Sequence, residues 1–127
     1  EDRIKTQRFY NHILGQWGDA PPTCEAWINK AIVIQHLQSP AMWSVFQLQD
    51  LLGMSEQLRR ENPHEERINV PAIPKHYWRY RMHFTLEQLL KEKDFNSALK
   101  EYIDDAGRGA MKAAVKKKKA VLREQVS

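Results

Sequence analysis

The run Met42-Trp43-Ser44-Val45-Phe46-Gln47-Leu48-Gln49-Asp50 decides how this chain is read. Trp43, Val45 and Phe46 favour extended backbone, Gln47 and Gln49 are polar, and Asp50 closes the run just before Leu51, Leu52 and Gly53. A short apolar stretch bounded by polar residues predicts a buried strand over 42–48. Such a strand needs neighbours to take up its backbone donors and acceptors, and no other segment offers a strand of its own. Its partners are therefore expected outside this chain. The first residue, Glu1, is not a methionine, and the matching expectation is a chain that begins inside a longer protein.

Around that run the pattern is helical. Ile4, Phe9, Ile13 and Leu14 fall close to one helical face, predicting an amphipathic helix over 2–14 that ends near Gly15. The turn cluster Gly18, Asp19, Pro21 and Pro22 follows, after which Thr23 is placed to cap a second helix. That helix runs to about Leu37 and is stopped by Ser39 and Pro40, because proline disfavours helical geometry in the residue before it. Ser55 to Arg60 tolerates a helical turn ended by Pro63. Pro71 and Pro74 then make Arg67 to Pro74 a fixed irregular loop. Thr85 with Gln88 reads as a capping box ahead of Leu86, Leu89 and Leu90. A further start at Asn96, with Leu99, Tyr102 and Ile103 on one face, carries helix to Gly107. As an isolated chain the expected fold class is mainly α.

The length of 127 residues supports one domain at most, since an eight-fold α/β barrel needs roughly 200 or more. Apolar content of 42% with 28% charged residues permits a core and argues against wholesale disorder. No apolar run approaches the ~20 residues of a membrane-spanning helix, so no membrane partner is expected. A single cysteine, Cys24, excludes an internal disulfide and fits a reducing, cytoplasmic setting. The net charge of +4 is not spread evenly: 109–127 holds six bases and one acid, and 1–108 holds 14 bases and 15 acids. The body is neutral and the tail is basic. Four consecutive lysines, Lys116 to Lys119, read as a solvated tail in preference to a specific nucleic-acid site, although a salt-sensitive binder driven by the tail stands as a third reading of function.

Several motifs for chemistry are incomplete. His64, Glu65 and Glu66 begin a zinc-protease pattern whose second histidine would fall at position 68, which is Ile68. Gly107-Arg108-Gly109 lacks the strand and the remaining residues of a phosphate loop and reads as a helix stop. No serine and not Cys24 sits in a nucleophile elbow. Glycoside chemistry uses two carboxyl groups roughly 5 to 9 Å apart, and the adjacent pairs Asp104-Asp105 and Glu65-Glu66 point apart. Asp50 has two readings: an acid at the C-terminal end of a strand, where barrels keep active-site groups, or a helix cap or partner for an arginine. The crowded segment Tyr77 to Arg81 has three: a base-stacking surface, a sugar platform, or packing of the proline-rich loop with its arginines paired to acids such as Asp50, the last being the default.

Three blocks, Phe46-Gln47-Leu48-Gln49-Asp50-Leu51-Leu52-Gly53, Glu66-Arg67-Ile68-Asn69-Val70-Pro71 and Pro74-Lys75-His76-Tyr77-Trp78-Arg79-Tyr80-Arg81-Met82, occur in this order. Together they resemble the C-terminal end of the 4-alpha-glucanotransferases, the amylomaltase or disproportionating-enzyme family of retaining glycoside transferases. The resemblance spans about Ile4 to Leu90 and is nearest to the larger form of plants and some bacteria, whose starch-binding modules lie towards the other end. It implies that 1–108 is the last piece of a (β/α)8 barrel with 42–48 as its final strand, and that 109–127 is a basic tail. It also implies that the nucleophilic aspartate, the acid/base glutamate and the stabilising aspartate all precede Glu1, the last of them in a His-Asp motif. Gln49 and Asp50 would lie at the barrel mouth, and Asn69 and Pro71 in a loop bordering the sugar cleft, as substrate-binding or scaffold residues and not catalysts. Relatives usually carry Pro-Ala-Asn-Pro where this chain has Pro71-Ala72-Ile73-Pro74, and Ile73 offers no side-chain hydrogen bond to a sugar.

The implied substrates are α-1,4-glucans, with starch, glycogen and maltodextrin as their sources and no metal or organic cofactor required. The isolated chain would be inactive, and its uncovered barrel face would drive self-association. The alternative is a stand-alone helical carbohydrate-binding or interaction module.

Overall fold

A computed structural model describes residues 2–109. The predicted first helix forms as α1, Asp2–Arg8, and continues as a π-helical turn, Phe9–Ile13. Gly15 closes it with a φ of +64°, a left-handed geometry that glycine adopts without the Cβ penalty. The turn that follows is tied back onto the helix by two amides. Gln7 Nε2 donates to Gly18 O at 2.7 Å, Gln7 Oε1 accepts from Ala20 N at 2.8 Å, and Asn11 Nδ2 donates to Gln16 O at 2.7 Å.

The central element is α2, Ala26–Gln38, which ends at Ser39 and Pro40 as expected. Ala26, Ile28, Val33 and Leu37 are buried along it. Thr23 does not cap it. Glu25 occupies the capping position without a side-chain bond, and the Glu56 carboxylate, thirty residues on, reaches Ala26 N at 3.4 Å. An acid at a helix N-terminus meets the positive end of the helix dipole, so Glu56 does from a distance what a local cap would do.

The expected strand is absent: the described residues contain no β-strand, and Leu48 already belongs to α3, Leu48–Leu52. Residues 42–47 remain an irregular, unpaired segment, with Gln47 in extended geometry. Nor is the run buried. Trp43 is 79% exposed and Val45 90%, while Ser44 and Phe46 turn to α2 through Ser44 Oγ donating to His36 O at 3.0 Å and an edge-on contact between Phe46 and His36. The physical reason is pairing: a strand takes its stability from neighbours, and none is present among the described residues.

Past α3, Arg59 N donates to Ser55 O at 2.9 Å, giving the expected turn, and Leu58 is buried. Pro63 starts a 3₁₀ turn, Pro63–Glu66, where Asn62 Oδ1 accepts from His64 N at 3.1 Å. The Thr85–Gln88 capping box forms in both directions ahead of α4, Leu86–Lys91. Exposed Glu87 in that first turn is held below the usual carboxylate range by backbone and Thr85 hydrogen bonds. Helix α5, Lys93–Asp105, begins three residues before Asn96 and packs its Leu99, Tyr102 and Ile103 side on α2. Ala26, Ile28, Val33, Leu37, Leu52 and Leu58 are the buried apolar residues among those described. The fold is mainly α. Of the expected basic tail, all but Gly109 lies outside the described residues.

Candidate functional site

Gln49 and Asp50 sit on α3, a helix of one and a half turns that has too few internal bonds to stand alone. Two contacts hold it. Leu52 is wholly buried, and Asn29 Nδ2 on α2 donates to Asp50 O at 2.9 Å. Gly53 permits that second contact, because a Cβ there would lie 2.1 Å from Asn29 Nδ2 and 3.2 Å from Gln49 O. Gly53→Ala is therefore expected to displace the Asn29 amide and destabilise the protein by about 1 kcal/mol. Urea unfolding of Gly53→Ala, Asn29→Ala and the double variant checks this: the two losses should fail to add, and full additivity would show that they do not share one bond.

Asp50 borders an open cleft of about 400 Å³ between α2 and residues 45–50, with Asn29, Val33, His36 and Phe46 also in its walls. His36 Nδ1 lies 2.8 Å from Ile32 O and, facing a carbonyl, donates to it. Asp50 is exposed and forms no ion pair with any described arginine, contrary to the expectation that arginines of 77–81 would reach it. Among the described residues it is the one acid lining this cleft. A single carboxylate can accept hydrogen bonds from sugar hydroxyls but cannot perform the two roles that glycoside transfer divides between a pair.

Asn69 and Pro71 are exposed on the 67–74 loop, which turns through Ile73 N donating to Val70 O at 2.9 Å and His76 N donating to Ile73 O at 3.0 Å. The loop's base is closed by Arg60. Its guanidinium pairs with Glu65 at 2.7 Å, donates to Arg81 O at 2.6 Å and lies 6.0 Å from the centre of the Tyr80 ring. His83 Nε2 adds a bond to Leu58 O at 2.9 Å. The segment 60–81 is thus a long irregular loop pinned at its neck. The Tyr80 hydroxyl is pushed above its ordinary value, first by burial and then by the Glu66 carboxylate, with Arg60 opposing both. Arg60→Ala should speed proteolytic cutting within 67–74 roughly tenfold, with Arg60→Lys between it and the parent protein. Equal cutting rates in limited proteolysis would show that the neck does not hold the loop.

The cleft beside Asp50 draws none of its lining from the 67–74 loop, so it does not unite Gln49 and Asp50 with Asn69 and Pro71. Tyr77 and Trp78 are 77% and 73% exposed, which overturns their expected role in packing the loop onto a core; Arg79 lies over Tyr77 instead of an acid. Glu65 of the incomplete zinc pattern is engaged by Arg60. Arg108 is likewise occupied, by three main-chain carbonyls, and is not poised for a phosphate. Asn29, Gly53 and Arg60 carry no local motif that would single them out.

Residues 1–88 match the family model described as 4-alpha-glucanotransferase. The chain is also 41% identical over 108 residues to 4-alpha-glucanotransferase DPE2 of Oryza sativa subsp. japonica, an alignment covering 85% of this chain and 11% of that protein. The chain therefore spans about a ninth of the length of this curated relative. No solved structure matches it. No helix among the described residues is long and apolar enough to cross a membrane. The family match and the identity together place the chain in the 4-alpha-glucanotransferase family.

Proposed function

We propose that this chain is the C-terminal part of an enzyme that moves α-1,4-glucan segments from one glucan chain to another by a retaining double displacement. Membership of the family is the observation that carries this reading. In the first step a carboxylate attacks the anomeric carbon while a carboxylic acid protonates the departing glycosidic oxygen, leaving a covalent glycosyl ester. In the second step the same acid/base group removes the proton from an acceptor hydroxyl, which attacks that carbon and frees the carboxylate. The three carboxyl groups involved belong to the polypeptide before Glu1, and no metal or organic cofactor takes part.

Within the whole enzyme, 1–108 completes a (β/α)8 barrel, residues 42–47 pair there as its last strand, and 109–127 is a basic tail. Two features support this: the backbone of 42–47 is left without a ladder, and Trp43 and Val45 are bare. Gln49 and Asp50 then stand at the barrel mouth, and Asn69 and Pro71 border the cleft as glucan contacts and scaffold. The pinned loop 67–74 keeps water from the covalent intermediate and so favours transfer over hydrolysis. Starch, glycogen and maltodextrins are the glucans concerned, and a cytoplasmic setting suits the exposed thiol of Cys24.

Disproportionation of maltotriose by the full-length enzyme tests the reading. Glucose and longer maltodextrins should appear, and Asn69→Ala should lower kcat/KM about tenfold, the effect of losing one hydrogen bond to substrate in the transition state. Release of glucose without longer products would show a hydrolase instead.

A further inference from the structure

A second cleft, of about 630 Å³, lies between α2, residues 54–58 and α5, away from Asp50 and from the 67–74 loop. Its volume falls in the roughly 300 to 1,000 Å³ of ordinary small-ligand clefts. Asp94, Phe95 and Tyr102 on its α5 wall lie beyond residues 1–88, while Trp27, Lys30 and Glu56 lie within them, so the cleft straddles the end of the family match.

Its lining combines flat apolar walls with both signs of charge. Trp27 is 39% exposed and fixed in orientation: its Nε1 donates to Glu25 Oε2 at 2.6 Å, and Tyr10 meets it edge-on with ring centres 6.0 Å apart. Phe95 lines the same cleft from α5. Lys30 Nζ lies 4.9 Å from the centre of the Tyr102 ring and supplies donors, while Glu56, Glu92 and Asp94 supply acceptors. An anionic ligand would meet three carboxylates, and a cationic one would meet Lys30. A neutral polyhydroxylated ring suits all of them, because its hydroxyls both donate and accept and its axial C–H face covers an aromatic ring. A pre-oriented indole also lowers the ordering cost of binding.

We infer that this cleft is an accessory glucan-binding site, which holds a polymeric α-1,4-glucan at a distance from the reacting bond. The inference rests on the transferase reading for the identity of its ligand. It is tested on the full-length enzyme carrying Asp94→Asn or Phe95→Ala, with far-UV circular dichroism to check folding. The exposed Asp94 carboxylate makes the first substitution safe for the fold. Soluble amylose is the probe, in affinity electrophoresis, and KM is measured for amylose and for maltotriose. Each variant should weaken amylose binding about fivefold, and the ratio of the amylose KM to the maltotriose KM should rise with it. Unchanged amylose binding in folded, active variants would overturn the site, as would an equal rise in both KM values. A wild-type enzyme that transfers no glucan would instead overturn the reading on which the site rests.

Discussion

Leu52→Ala is expected to cost about 3 kcal/mol, a large share of the stability available to a fold with so small a core. Leu52 is 0% exposed, the most deeply buried side chain among the described residues, and it is the apolar anchor of a five-residue helix. Alanine would leave a cavity in the small core where α3 packs on α2, which can close only if one of the two helices moves. Because Asp50 rides on α3, the loss should also free Gln49 and Asp50 to move. Urea denaturation measures the first effect. Amide exchange of Leu51 to Gly53, rising more than that of α5, measures the second. A loss under about 1 kcal/mol would mean that α3 is held by its polar contact with Asn29 alone.

The second large effect is Arg108→Ala, expected at about 3 kcal/mol. The Arg108 guanidinium donates from Nε to Leu37 O and from Nη2 to Ser39 O at 2.9 Å and Ala41 O at 2.6 Å. Helix ends leave carbonyls without partners, and a cation there also meets the negative end of the dipole. One side chain thus closes α2 and fastens the end of α5 to it across about seventy residues of sequence. Arg108→Lys should recover less than half of the loss in thermal unfolding, because an ammonium cannot present the planar fork that reaches three oxygens. Full rescue by lysine would show that charge alone matters.

What the residues revealed in advance was what they settle locally. The Thr85–Gln88 box needs partners three positions apart, and the stop at Gly15 needs only a missing Cβ, so both were readable and both formed. The cap on α2 is not legible locally, because Thr23 looks sufficient in sequence while Glu56 is supplied by folding. The stretch 42–48 differs from expectation for a related reason: Trp43, Val45 and Phe46 do lack helical geometry, but burial and pairing are properties of neighbours. At the candidate site Asp50 could be picked out by its place at the end of an apolar run. Asn29, Gly53 and Arg60 could not, since each acts through a contact with residues more than twenty positions away or through the space it leaves empty.

The bareness of the indoles gives the molecule a built-in optical reporter. Trp17, Trp43 and Trp78 are 95%, 79% and 73% exposed, so water relaxes around three of the four tryptophans and emission should lie to the red. Contact with the remainder of the enzyme would have to cover Trp43, and the spectrum would then move to the blue and become harder to quench with iodide.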